Sequence, residues 1–227
     1  MNQEKPIIRA QVTTPRAAAI AGILFSILLI SSLVLVRISV PANPQDAGTW
    51  LSGNWKNVSL ALNLLPFAGI AFLWFIGVVR DRLGEHEDRF FATVFLGSGL
   101  LFLAMLFTSA AIAGGVINIY GAAPGQLIES GLYNFGRMLT YEIMNVYTMR
   151  MAGVFMMTTC TLSLRTGIFP RWMAILGLVL ALFLLLTTGS FYWAPLVFPL
   201  FVLLISVYIL LANLRRSKGE PAAAVTQ

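Results

Sequence analysis

Residues Phe135 to Arg165 read FGRMLTYEIMNVYTMRMAGVFMMTTCTLSLR. The part between Arg137 and Arg165 is long enough to cross the roughly 30 Å hydrocarbon core of a bilayer as a helix, and its two ends carry arginine. Two ionisable residues lie inside it, Glu142 and Arg150. A charge at bilayer centre costs about 2.5–3.5 kcal/mol on insertion scales, so charges retained there mark functional positions. At about 100° per residue, Glu142, Met149, Gly153 and Cys160 fall on one face, with Met138, Asn145 and Met156 at its edge. Arg150 is turned roughly 80° from Glu142 and lies about 12 Å deeper, too far for a tight pair on one helix.

Working outward from this stretch, the rest of the chain reads as apolar scaffold. Of 227 residues, 58% are hydrophobic and 11% charged. Soluble domains carry about 25% charged residues. The deficit gathers in runs of the length that spans hydrocarbon. These predict an all-α polytopic membrane protein, a bundle of six transmembrane helices. The expected spans are residues 17–40, 58–79, 90–116, 138–164, 172–188 and 195–211. A polar tail, residues 1–16, precedes this domain of residues 17–212, and a basic, then disordered tail, residues 213–227, follows. The first run is far longer than a signal-peptide core and no A-x-A pattern closes it, so it reads as a retained helix.

Charge sets the orientation. Lys5, Arg9, Arg16, Arg80, Arg82, Arg89, Arg165, Arg171, Arg215, Arg216 and Lys218 fall on one side of a six-span layout, and only Arg37, Lys56 and Arg137 on the other. Cytoplasmic loops carry this excess. Both termini are therefore expected in the cytoplasm. The net charge of +6 reads as a topology signal and not as a nucleic-acid footprint. Arg37, close to the outer end of the first span, is expected to snorkel to the headgroups. The segment Trp74 to Phe91, WFIGVVRDRLGEHEDRFF, is similar to segments of small bacterial membrane proteins. That likeness implies a bacterial cytoplasmic membrane and no particular activity.

Several functions are disfavoured by counting. One cysteine, Cys160, and one histidine, His86, allow neither an intramolecular disulfide nor a Cys/His zinc site nor a bis-histidine haem within one chain. No HExxH pattern, Ser/His set or second intramembrane acid supplies catalytic groups. No enzyme activity, metal or cofactor is therefore expected. Glu85, His86, Glu87 and Asp88 share one short inner loop, and neighbouring residues there read as a solvated charge run. Six methionines in the fourth span suit Cu(I) chemically, but methionine is also the adaptable filler of irregular packing. Ala110 with Gly114, and Ala111 with Gly115, have the small-residue spacing that lets helices approach in lipid, here expected within the chain.

Two functions fit what is left. The first is a non-catalytic membrane module or assembly subunit, with Arg150 paired to an acid on a partner protein or a second copy. The second is a small transporter or ligand-binding membrane protein, with Arg150 and Glu142 in a central cavity lined by Tyr141, Asn145 and Asn63.

Overall fold

The computed structural model describes residues 14–41, 46, 48–83, 89–186 and 191–219. Among these, every regular element is helical. In chain order they are α1 (Thr14–Ser39), α2 (Leu51–Leu83), α3 (Arg89–Ala122), the short α4 (Pro124–Glu129) and α5 (Leu132–Glu142). A π-helical stretch, Ile143–Thr148, joins α5 to α6 (Met149–Thr166). Then follow α7 (Arg171–Leu186), a 3-10 turn at Ala194–Leu196 and α8 (Val197–Gly219).

Four of these helices are long and apolar enough to cross a membrane: α1, α2, α3 and α8 with its leading turn. The helix α7 is apolar but has 16 residues. The rod Leu132–Thr166 is long, but its polar residues set it apart from the four. Helices overrun the apolar stretches that predict them. The second starts at Leu51, because the Asp46 carboxylate accepts the Gly48 N–H (2.9 Å) and Gly48 turns the chain with φ 86°. Residues 51–57 carry no proline, so the last seven of the 17 residues between the first two expected spans join α2. Pro66 lies inside α2, which continues past it to Leu83. The loop residues Glu85, His86, Glu87 and Asp88 lie outside the described residues.

The core is a knot of phenylalanines from five helices. Phe25, Phe72, Phe102, Phe155 and Phe198 are buried. Ring centroids lie 4.6 Å apart for Phe25–Phe72 and Phe102–Phe198, and 5.2 Å for Phe72–Phe155. Lipid is as apolar as these side chains, so their tight packing, and not flight from water, draws the helices together. Tilted and edge-on rings add about 0.5–1.5 kcal/mol per pair beyond area burial. Hydroxyls contribute as well. Ser32 Oγ donates to the Ala61 carbonyl (2.8 Å), joining α1 to α2, and Ser109 Oγ to the Thr140 carbonyl (3.0 Å), joining α3 to α5.

Small residues permit closest approach at places other than the predicted one. A methyl group on Gly177 of α7 would collide with Cys160 Sγ of α6 and sit 2.5 Å from the Phe201 ring of α8. On Gly153 it would come within 3.1 Å of the Ala181 carbonyl. Gly114 and Gly115, by contrast, face open space with nothing within 4 Å. The expected intramolecular packing is therefore not made at these two glycines, although Ala110 of the same stripe packs against the core.

The ends of the rods sort into two groups. The end of α1, the start of α2, the end of α3 and the start of α5 surround one cavity. At the opposite end, Ala18, Val79, Phe169 and Ile209 share a small gap, and Arg165 Cζ lies 4.5 Å from the Phe91 ring centroid. Successive long rods thus alternate in direction.

Candidate functional site

The cavity at the first of these ends has a volume of about 180 Å³. Most of its wall is apolar: Leu33 and Val36 of α1, Leu62 and Leu65 of α2, Leu106 of α3, and Met144. Into this wall are set Arg37, Arg137, Tyr133, Thr140, Tyr141, Asn145 and Tyr192. Among the described residues no carboxylate, imidazole or thiol lines it.

The two arginines are held differently. Arg137 Nη1 donates to Tyr133 Oη (2.7 Å) and to the Asp46 carbonyl (3.3 Å), and Nη2 donates to the Pro41 carbonyl (2.8 Å). The Asp46 carboxylate lies 3.8 Å from Nη1. Tyr133 Oη also accepts the Trp50 indole N–H (2.9 Å). This network ties the chain between α1 and α2 to α5 and meets the charge of Arg137.

Arg37 has no such neutralisation among the described residues. Its Nη2 donates to Asn145 Oδ1 at 3.3 Å, and its Cζ sits 3.9 Å from the centroid of the Tyr192 ring. The Tyr192 hydroxyl donates to the carbonyl of Arg37 (3.0 Å), with that of Val40 at 3.3 Å, so the ring is fixed over the guanidinium. Among the described residues no carboxylate pairs with Arg37. A ring face and an amide oxygen orient a cation without cancelling its charge.

Asn145 owes its place to the π-helical stretch. A π turn inserts an extra residue and redirects the side chains around it, and such turns recur at functional sites. Asn145 Nδ2 donates to the Tyr141 carbonyl (2.9 Å) and Thr148 Oγ1 to the Ile143 carbonyl (2.8 Å), satisfying backbone acceptors in the widened turn. Asn145, 7% exposed, is thereby locked with its oxygen toward Arg37. Thr140 adds one more polar group. Its Oγ1 is buried and meets no hydrogen-bond partner among the described residues.

Of the residues singled out by sequence, Tyr141 and Asn145 line the cavity, whereas Arg150, Glu142 and Asn63 do not. Glu142 and Asn63 are exposed. Arg150 is half-buried and shares an outward stripe of the rod with the exposed Tyr147, Met157 and Leu164. No described residue gives it a hydrogen bond or an ion pair. The face read as one polar stripe is divided by the π turn. Met149, Gly153, Met156 and Cys160 pack into the core, while Met138 and Met157 are exposed, which scatters the thioethers. Sequence reading assigned Arg37 to the headgroups and not to a site, although it lies inside the apolar run, with Ile38, Ser39 and Val40 still to follow.

Compared with protein-family models, with curated proteins and with solved structures, the chain finds no match.

Proposed function

We propose that this chain is a ligand-binding membrane protein. Its long rods form six spans of a bacterial cell membrane with both termini cytoplasmic, and it holds a small molecule in the cavity toward the outer surface. The alternation of rod directions and the distribution of lysine and arginine support the six-span layout. The single observation that carries the binding reading is a cavity of about 180 Å³ with apolar walls and, set in them, a guanidinium that no carboxylate among the described residues pairs with. An apolar pocket with few convergent polar groups is the usual form of a small-molecule site. Binding, and not passage, fits the core. The phenylalanine knot lies buried among the helices, and the gap at the far end is a separate void of about 20 Å³. With no acid, imidazole or thiol among the described residues of its wall, the cavity offers a place to bind and not a proton-transfer pair.

The test is a thermal melt of the full chain in lipid nanodiscs with benzyl alcohol as a neutral probe. A site at 100 times its Kd stabilises by about 2.7 kcal/mol. The melting temperature should rise in the wild type and stay flat in Ala113→Trp, which fills the cavity wall. An equal response in both would sink the reading.

One observation favours a second role. Arg150, half-buried, without an ion-pair partner among the described residues and on the outward stripe of α6, suits an acidic residue on another membrane helix. In that role the chain is a subunit of a larger assembly.

A further inference from the structure

We infer that the cavity takes a small monocarboxylate, an aromatic or short aliphatic body carrying one carboxylate, which the guanidinium of Arg37 engages. This rests on the cavity's being a binding site, and it follows from charge, hydrogen bonding and size.

Charge comes first. Two guanidinium groups line the cavity, and Arg137 already has the Asp46 carboxylate 3.8 Å away, together with carbonyl and phenol acceptors. Arg37 has an amide oxygen at 3.3 Å and a ring face, and no carboxylate among the described residues. One positive charge is thus left to be balanced within apolar walls. A monoanion balances it, while a dianion would bring an unmatched negative charge into the same low-dielectric space. Arginine presents a planar fork that matches the two oxygens of a carboxylate.

Hydrogen bonding agrees. Thr140 lines the cavity, and its hydroxyl lacks a partner among the described residues but is itself closed off from the cavity space. A turn about χ1 brings it into the cavity, where it can donate to a carboxylate oxygen. Asn145 cannot serve as that donor without giving up the Tyr141 carbonyl, and its oxygen already faces the guanidinium. Its role is to position Arg37.

Size sets the body. An apolar cavity of about 150 Å³ admits benzene. The volume here, about 180 Å³, suits a benzoate-sized or hexanoate-sized molecule, with its apolar part against residues such as Leu33, Leu65 and Leu106.

The experiment compares benzoate, benzyl alcohol and phenyl phosphate on the purified full chain in phosphatidylcholine nanodiscs, by calorimetric titration. Benzoate should bind at least about tenfold more tightly than benzyl alcohol, a gap of about 1.4 kcal/mol. Phenyl phosphate should bind more weakly than benzoate. Arg37→Gln should remove the gap between benzoate and the alcohol, and Arg37→Lys should keep part of it. Equal affinities for benzoate and the alcohol in the wild type, both lost in Ala113→Trp, would overturn the carboxylate assignment while leaving the cavity a binding site. Binding of neither would overturn both. Tighter binding of phenyl phosphate would also reject a monoanion. Loss of benzoate binding in phosphatidylglycerol nanodiscs would assign the guanidinium to a lipid headgroup and reject the small carboxylate. The wild-type comparisons stand even where a variant at Arg37 fails to fold.

Discussion

Arg37 and Arg137 line one cavity, and the difference between their surroundings is what a ligand would recognise. Thr140 extends the point, because a hydroxyl buried without a partner costs about 1–3 kcal/mol. Thr140→Val keeps the shape and removes the polar group. The free protein should therefore melt at the same temperature or higher, while benzoate binding weakens about fivefold, roughly one hydrogen bond. Chemical melts and titrations of the same variant check both signs. A variant that lost stability and kept full benzoate affinity would show the hydroxyl to be structural. At this scale the sequence was partly legible. Tyr141 and Asn145 were grouped with Arg150, Glu142 and Asn63 around a central cavity, whereas the cavity they line contains none of those three. Arg37 was read as reaching for headgroups, because its neighbours in sequence are a span end and a loop. Its actual partners, Asn145 and Tyr192, are 108 and 155 residues away, a separation that no local pattern reports.

At the scale of the element, the π-helical stretch Ile143–Thr148 decides which residues of the rod face the cavity. A uniform 100° per residue placed Glu142 and Cys160 on one face. The inserted residue breaks that register, so polar groups before it line the cavity and Met149, Gly153 and Cys160 after it enter the core. The length of the apolar runs found the rods. It could not find the widened turn, which depends on side-chain bonds to carbonyls and leaves no change in hydropathy. Helix packing was misplaced for a related reason. Spacing singled out Gly114 and Gly115 and left Gly153 and Gly177 unread, and only the three-dimensional neighbours separate them. Gly177→Ala should lower stability by about 1–3 kcal/mol, the usual cost of overpacking, because Cys160 and Phe201 must move. Gly114→Ala meets open space within a helix and should be neutral or stabilising by up to about 1 kcal/mol. Melting curves of the two in one detergent provide the comparison, and equal losses would contradict the described packing.

For the whole molecule, composition made the helical class and the apolar rods legible, since nothing but repeated runs of spanning length accounts for 58% hydrophobic residues with so little charge. The six-span layout makes a firm demand on topology. A phosphatase reporter fused after Gly219 should be inactive, and one inserted at Ala123, between α3 and α4, should be active. Arg150 then poses the remaining question of what lies outside the bundle. Its cation sits on an outward stripe with Tyr147, Met157 and Leu164, and nothing among the described residues answers it. If it served only the fold, Arg150→Leu would remove an interaction and lower the melting point. If it faces a partner helix, the same change removes no contact within the chain. The isolated protein should then keep its stability to within about 0.5 kcal/mol, as surface changes do. Benzoate binding should also persist, because Arg150 does not line the cavity. What should be lost is a membrane protein that co-purifies with the wild type under mild detergent, and an acidic residue in one of that partner's spans should restore association when exchanged with the arginine. A destabilised Arg150→Leu variant with unchanged co-purification would return Arg150 to the fold and remove the assembly reading, with the cavity reading untouched.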